Sequence, residues 1–258
     1  MTAHLPGTFC WSELGSSDAG AACRFYTALF GWTVESVPMG PGGLYHVFSL
    51  RGLDVAAAYQ LDPVKQAGVR SHWLPYVSVA SADAAADTAT LLGGSVVMPP
   101  FDVSDAGRMA LLRDPTGAVL AAWQARSRIG AELIDEPGAV SWNELATTDV
   151  QRAGDFYAGL FTWGRELQEF GGTPYTSFTR QGTPVGGMMQ MTAERGAAPP
   201  HWLVYFSVED CDASAMLAAS LGATVRVPPT DVPGIGRFAT IADGQGAVCS
   251  IIALASED

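Results

Sequence analysis

Two glutamates, Glu13 and Glu144, are the residues whose type and surroundings best suit acid/base chemistry. Each follows a tryptophan by two positions, in the segments FCWSELG and VSWNELA. Side chains two apart on a strand share a face, so each carboxylate is predicted to lie beside an indole ring. A carboxylate in apolar surroundings resists ionisation and is a candidate general acid or base. The alternative is a structural role, in which each glutamate accepts hydrogen bonds that fix its strand.

The same alternation predicts an aromatic, apolar surface around each glutamate, with one phenol per half. Such a surface suits a flat organic ligand with few polar groups. The predicted ligand-binding aromatic residues are Trp11, Tyr76, Trp123, Trp142 and Tyr205. Trp73 and Trp202 are out of phase with this set and are predicted to pack beneath a helix.

Two arginines at strand starts, Arg108 and Arg237, complete the predicted ligand-binding set. A guanidinium group can hold an anionic ligand group with two hydrogen bonds. The alternative is a salt bridge from each arginine to a nearby acid. Both roles remain open on the sequence alone.

These residues recur because the chain is an internal duplication. PGTFCWSELGSSDAGAACRFYTALFGW near the start matches PGAVSWNELATTDVQRAGDFYAGLFTW in the second half, and HWLPYVSV matches HWLVYFSV. LGGSVVMPPFDV likewise matches LGATVRVPPTDV. The matches predict two tandem domains, residues 1–124 and 125–258, each large enough to carry its own core.

Each half is predicted to contain two modules of the order β-α-β-β-β. In the first module a helix is capped by Ser17 and Asp18, carries apolar residues on one face and ends at Gly31. Three short strands separated by glycine and proline turns follow. The predicted fold class is therefore α+β, with paired modules forming a curled, partly open, barrel-like sheet.

Composition limits the partners of the protein. Fourteen Lys and Arg against 26 Asp and Glu give a net charge of -12, which argues against binding nucleic acid or an anionic membrane surface. The four cysteines form no CxxC pair and are expected to be buried free thiols. With no apolar run of about 18 residues, a soluble cytoplasmic protein is expected, a monomer or weak homodimer that binds a small molecule.

The β-α-β-β-β order, the helices RFYTALFGW and DFYAGLFTW and the DPTG turn before a last strand resemble the vicinal oxygen chelate (glyoxalase and bleomycin-resistance) superfamily. The segments W-x-E-L, P-P-x-D-V and DPTGA are similar to those of its tandem two-domain actinobacterial members, described as glyoxalase-like or as hydroxylases. The resemblance covers nearly the whole chain. It implies a small-molecule site inside each curled sheet.

The resemblance also implies six metal-ligand positions, which metal-using members fill with His, Gln or Glu. In this sequence the positions hold Trp11, Leu74, Ala121, Trp142, Leu203 and Ser250. None of these side chains binds a hard divalent ion well, so no metal is expected. No phosphate loop or GxGxxG turn is present, so no cofactor is expected either.

Two equivalent histidines, His72 and His201, each begin a predicted strand. They form no i, i+4 or HxH pair with each other or with His4 and His46, which argues against a histidine metal site. We predict that His72 and His201 are structural and hydrogen-bond a turn.

The sequence favours a protein without the usual metal that binds a small aromatic or polyketide-type metabolite, with metal-independent acid/base chemistry by Glu13 or Glu144 as an option. The first alternative is an enzyme that modifies a metabolite, through a glyoxalase-like lyase, isomerase or hydroxylase-type step without a nucleotide cofactor. The second is a non-catalytic interaction scaffold. The fold alone does not separate the three.

Overall fold

A computed structural model describes residues 4–40, 43–170, 172–192 and 198–255, and its elements repeat the order β-α-β-β-β four times. The first half contains β1 (Phe9–Ser16), α1 (Ala19–Phe30), β2 (Thr33–Pro38), β3 (Leu44–Leu50), β4 (Leu53–Gln60), β5 (His72–Ser78), α2 (Ala82–Leu91), β6 (Ser95–Val103), β7 (Gly107–Arg113) and β8 (Val119–Ala125). The second half contains β9 (Val140–Thr147), α3 (Val150–Phe161), β10 (Gly164–Phe170), β11 (Thr173–Arg180), β12 (Thr183–Gln190), β13 (His201–Ser207), α4 (Cys211–Ser220), β14 (Thr224–Val232), β15 (Gly236–Ala242) and β16 (Val248–Leu254). The predicted module order is confirmed in both halves.

The strands form two eight-stranded sheets, one from each half. Their orders are β2-β3-β4-β1-β5-β8-β7-β6 and β10-β11-β12-β9-β13-β16-β15-β14. Within each module the first strand runs parallel to the fourth, and the remaining neighbours are antiparallel. The α+β fold class is therefore confirmed. The boundary between residues 124 and 125 stays a prediction, and the last strand of the first sheet ends at Ala125.

The helices begin where short polar residues accept hydrogen bonds from their first turns. Asp18 accepts from the backbone N–H of Ala21, and Asp149 does the same for Arg152. Gly31 ends α1 in the left-handed conformation, with φ 69°. These contacts satisfy amide groups that a helix end leaves without partners inside the helix.

The chain forms two compact units, and each unit combines one module from the first half with one module from the second half. One unit contains the chain up to Trp11, residues 75–130 and residues 142–203, and the other contains residues 12–74, 131–141 and those from Val204 onward. Each unit has its own apolar core. The unit that contains α1 and α4 is called the outer-module unit below, and the unit that contains α2 and α3 is called the inner-module unit.

A buried phenol, carboxylate and indole connect the two modules within the outer-module unit. Tyr26 on α1 donates to Asp243 over 3.1 Å and accepts from the indole N–H of Trp73 over 3.0 Å. Burial raises the pKa of both Tyr26 and Asp243. The phenol therefore stays protonated and continues to donate its hydrogen bond.

The inner-module unit has the equivalent contact. Tyr157 on α3 donates to Asp114 over 3.0 Å and accepts from Trp202 over 2.9 Å. Trp73 and Trp202 thus pack in the cores beneath the helices, as their strand phase predicts. Their role is structural.

All four cysteines are buried free thiols, as expected. None of the helices in the described part of the chain is long and apolar enough to cross a bilayer.

Candidate functional site

The two faces of β1 and β9 differ in what covers them. Leu14 and Leu145 are fully buried in the apolar cores that lie against the helices. Glu13 and Glu144 are one position away, so both carboxylates lie on the opposite face of the sheet. This surface, called the helix-free face below, is the one that the sequence predicts to carry the ligand.

Glu144 is the more deeply buried of the two glutamates, with 9% of its surface exposed. It is hydrogen-bonded to the phenol of Tyr175 on β11. The indole Nε1 of Trp142 donates to the same phenol oxygen over 2.8 Å. Burial raises the pKa of Tyr175 well above its usual range, and the negative charge of Glu144 adds a smaller increase. Glu144, Trp142 and Tyr175 therefore form a connected polar cluster within the inner-module unit.

A glycine makes room for this cluster. Gly187 on β12 pairs with Glu144, and the ring of Tyr175 lies where a side chain at position 187 would begin. In the first half, the residue that pairs with Glu13 is Ala57. A methyl group therefore stands in the first half where the phenol ring lies in the second.

Glu13 has a phenol from a different strand. Tyr59 on β4 pairs with Gly15, which shares the helix-free face with Glu13. A methyl group on Gly15 would lie 3.0 Å from the Tyr59 hydroxyl oxygen, so the phenol lies over this glycine. Burial raises the pKa of Tyr59, and the negative charge of Glu13 adds a smaller increase. A hydrogen bond from Gln66 lowers this pKa and so opposes the shift. The carboxylate and the phenol thus interact within the outer-module unit.

The cross-strand pair of Gly15 and Tyr59 has different residues in the second half. There Ala146 replaces Gly15, and Met189 replaces Tyr59 as its partner on the neighbouring strand. Each glutamate therefore interacts with a phenol, which is Tyr59 from β4 in the first half and Tyr175 from β11 in the second.

The remaining predicted aromatic residues contact apolar neighbours on the strands. The Tyr76 hydroxyl lies 3.9 Å from the sulfur of Met109, and the rings of Tyr76 and Trp123 meet edge to face at 6.3 Å. Trp123 also donates to the backbone oxygen of Arg128 over 3.1 Å. In the second half the ring of Tyr205 lies 6.2 Å from that of Phe238. Trp11 is half-buried on β1, on the same face as Glu13.

Arg108 and Arg237 form the ion pairs that the sequence left open as an alternative. Arg108 binds both carboxylate oxygens of Asp83 over 2.7 and 2.8 Å and contacts Asp102 over 3.1 Å. Arg237 makes the same contacts with Asp212 and Asp231. Because Asp83 and Asp212 lie on helices, both arginines are on the helix side of the sheet. Ligand binding by the two arginines stays an untested prediction, and the site proposed below does not include them.

His72 and His201 form the predicted structural hydrogen bonds. Nδ1 of His72 lies 2.8 Å from the carbonyl oxygen of Arg70, and Nδ1 of His201 lies 2.8 Å from that of Pro199. Each carbonyl lies two residues before its histidine, in the segment that leads into the strand. Both histidines nevertheless share the helix-free face of their strands, because they stand two residues before Leu74 and Leu203.

The six family metal positions offer no adequate set of ligand atoms. Five of them hold Trp, Leu or Ala, and the sixth, Ser250, has its hydroxyl 2.9 Å from that of Thr240. Within the described ranges, no group of three or more His, Cys, Asp or Glu side chains is arranged to hold a metal ion. The residues present therefore do not fit the metal centre of metal-using members.

Strand alternation predicts that Trp142 and Glu144 share a face, and in the structure both side chains contact Tyr175. Tyr59 and Tyr175 were not predicted, because strand alternation indicated the phenols of Tyr76 and Tyr205 instead. A glycine inside a strand, such as Gly187, often marks the close approach of another group and was the available signal.

Comparisons with known proteins agree with the fold. The model of the Glyoxalase/Bleomycin resistance protein/Dioxygenase superfamily matches residues 10–122 and again residues 127–249. The Mycobacterium tuberculosis protein named "Putative glyoxylase CFP32" is 40% identical over 251 residues, which cover 96% of this chain and 95% of the relative. The "Anthracycline biosynthesis protein DauV" of Streptomyces sp. (strain C5) is 39% identical over 267 residues, with 98% and 96% covered.

Among solved structures, the Mn(II)-bound glyoxalase from Novosphingobium aromaticivorans superposes with a TM-score of 0.65. Its sequence is 15% identical, and the match covers 96% of this chain and 82% of that protein. At this identity the likeness concerns the fold alone.

Proposed function

Because the chain belongs to the Glyoxalase/Bleomycin resistance protein/Dioxygenase superfamily, we propose that it binds a planar, hydroxylated aromatic metabolite on the helix-free faces of its sheets. Binding uses the carboxylates Glu13 and Glu144 in place of a metal ion. The observation that carries this proposal is the pairing of each glutamate with a phenol on a face that otherwise holds mainly aromatic and apolar side chains.

The chemistry of these clusters supports a ligand with hydroxyl groups. A carboxylate accepts hydrogen bonds, and a charge-assisted bond from a ligand hydroxyl contributes about 1.5–3 kcal/mol. Indole and phenol rings favour a flat aromatic partner. The name of the relative DauV refers to anthracycline biosynthesis, and an anthracycline contains a planar hydroxylated ring system of this kind.

The two glutamates contribute unequally in this proposal. Glu13 is half-buried, whereas Glu144 is buried. Glu13 is therefore the carboxylate that is more accessible to a ligand hydroxyl. Glu144 chiefly orients Tyr175 and Trp142, whose rings offer a stacking surface.

Binding of quinizarin, a dihydroxyanthraquinone, to the purified full chain tests the proposal. We expect saturable binding that persists after exhaustive dialysis against EDTA. Glu13→Gln retains the size of the side chain and removes its charge, and it is expected to weaken binding about tenfold, the equivalent of 1.4 kcal/mol. Glu144→Gln is expected to have a smaller effect on affinity.

Glu35→Gln is the matched control, because Glu35 lies exposed on β2 and the variant removes the same charge. Its affinity should equal that of the unmodified chain. The proposal is wrong if quinizarin does not bind, if EDTA abolishes binding, or if Glu13→Gln and Glu35→Gln bind equally well.

A further inference from the structure

The outer-module unit has an open cleft on the helix side of its sheet, on the opposite face from Glu13. The cleft lies between α1, the end of α4 and the turn from β15 to β16, and its volume is about 260 Å³. It is lined by Ala21, Arg24, Phe25, Leu221, Gly244 and Gln245. We propose that this cleft is a second ligand site, which binds a small aromatic carboxylate through Arg24. The inference goes beyond the proposed function and does not depend on it.

Arg24 gives the cleft a positive charge that is not paired. Within the described part of the chain its exposed guanidinium forms no ion pair and no hydrogen bond. Asp18, which caps α1, accepts instead from the backbone N–H of Ala21. The end of α4 does not need the arginine either, because the carbonyl oxygens of residues 217–219 accept from the N–H groups of residues 221–223. A free guanidinium can bind both oxygens of a carboxylate.

The turn from β15 to β16 offers a second donor. The buried carboxylate of Asp243 accepts from the backbone N–H groups of Gln245 and Ala247, each over 2.9 Å, and the N–H of Gly246 bonds the Asp243 carbonyl oxygen. Among the described residues, the N–H of Gly244 has no acceptor. A Cβ atom on Gly244 would meet nothing within 4 Å, so the space at this edge of the cleft is open.

The other walls of the cleft are apolar. Ala21 contributes a methyl group, and Phe25 and Leu221 contribute the parts of their side chains that remain exposed. A volume of about 260 Å³ is slightly below the range of about 300–1,000 Å³ that is typical of sites for drug-sized ligands. A single aromatic ring with one carboxylate therefore suits both the size and the chemistry of the cleft.

The inner-module unit has different residues at the equivalent positions. Asp155 replaces Arg24, and its carboxylate is paired with Arg165 over 2.8 Å. Pro115, which has no N–H, replaces Gly244. A negative charge stands where the cleft has its cation, and the free backbone donor is lost. We therefore expect the carboxylate to bind the outer-module unit only.

An NMR titration of the full chain with sodium benzoate tests the proposal. We expect saturable shifts of the backbone amide signals of Gly244 and Gln245. Benzamide has the same ring but no charge, so it should bind about tenfold more weakly. Neither measurement requires a variant. Equal affinity for benzoate and benzamide, or shifts that leave these two signals unmoved, would overturn the inference.

Two variants test the proposed donors. Arg24→Gln should weaken benzoate binding about tenfold and leave benzamide binding unchanged. Gly244→Pro introduces the residue that the first half has at this position, and the lost N–H should weaken benzoate binding about threefold. Arg152→Gln is the matched control for Arg24→Gln, because it removes the same charge from an exposed position on α3. Its affinity should equal that of the unmodified chain.

The outcomes separate this inference from the proposed function. Equal effects of Arg24→Gln and Arg152→Gln would overturn the inference, and so would benzoate shifts centred on the helix-free face around Glu13. Benzoate binding that depends on Arg24 supports the inference whether or not quinizarin binds. A lack of quinizarin binding overturns the proposed function alone.

Discussion

The two halves provide the same chemical groups at their glutamates through different strands. In the first half Tyr59 reaches the carboxylate from β4 and lies over Gly15. In the second half Tyr175 reaches it from β11 and lies over Gly187. In each case the position that is glycine in one half is alanine in the other.

This difference shows what a duplicated site can change while retaining its chemistry. A ring can cross a strand only where no Cβ atom stands in its path, so each phenol requires its own glycine. The surroundings of the two carboxylates differ as a result. Glu144 is hydrogen-bonded to Tyr175, whose hydroxyl also accepts from the indole of Trp142. Glu13 shares its face with Tyr59 and His72.

The largest expected effect comes from exchanging glycine and alanine at equivalent positions. In Gly187→Ala the new methyl group would overlap the hydroxyl end of the Tyr175 ring, so the phenol would have to move away from Glu144 and Trp142. We expect a loss of about 2–4 kcal/mol in the free energy of unfolding. The reciprocal variant, Ala57→Gly, should cost only about 0.5–1 kcal/mol. Urea denaturation of both variants measures the difference, and equal losses would contradict the comparison.

A smaller effect is expected in alkaline solution, because the pKa of Tyr175 is raised further than that of Tyr59. A phenol with a raised pKa stabilises the folded chain below its unfolded pKa of about 10. This contribution is lost as pH rises through the folded pKa, and the loss reaches about 1.4 kcal/mol one pH unit above the unfolded value.

Tyr175→Phe removes this contribution, so its urea midpoint should fall less between pH 9 and pH 11, a range around about 10, than that of the unmodified chain. Tyr59→Phe should flatten the same decline to a lesser degree. The interpretation of the two clusters is refuted if Tyr59→Phe has the larger effect.

The smallest effect is expected at Arg108 and Arg237, whose contacts with a helix aspartate are the same in both halves. Arg108→Lys and Arg237→Lys each lose a two-pronged contact to a helix aspartate. The two variants should lower the thermal midpoint slightly and equally, and the loss should shrink in about 1 M salt, which screens exposed ion pairs. Unequal losses would mean that the halves differ beyond the glutamate clusters.

The fold could be predicted because the duplication repeats its local signals. Asp18 caps α1, Gly31 ends it, and strand alternation assigns Leu14 and Glu13 to opposite faces. The phase of Trp73 correctly predicts its burial beneath a helix. Each of these features depends on residues close together in the sequence.

The partners of the glutamates depend on strand register instead. Which tyrosine reaches which carboxylate follows from the pairing of Gly15 with Tyr59 and of Gly187 with Glu144. Aligning the halves places Tyr175 opposite Tyr45, whereas Tyr59 is opposite Met189, so the alignment alone does not show which phenol reaches which carboxylate. The hydrogen bond of His72 was correctly predicted, but the position of its ring beside Gly15 was not.

The exchange of modules also affects the order in which the chain can fold. The core of the outer-module unit combines α1, near the start of the chain, with α4 and the last strands. During synthesis, α1 leaves the ribosome long before its packing partners exist, and contacts between such distant segments form slowly. Until the second half is made, Tyr26 lacks its acceptor Asp243 and Phe30 lacks its ring contact with Phe206. Synthesis of the first half is therefore a stage at which apolar surface is exposed to aggregation.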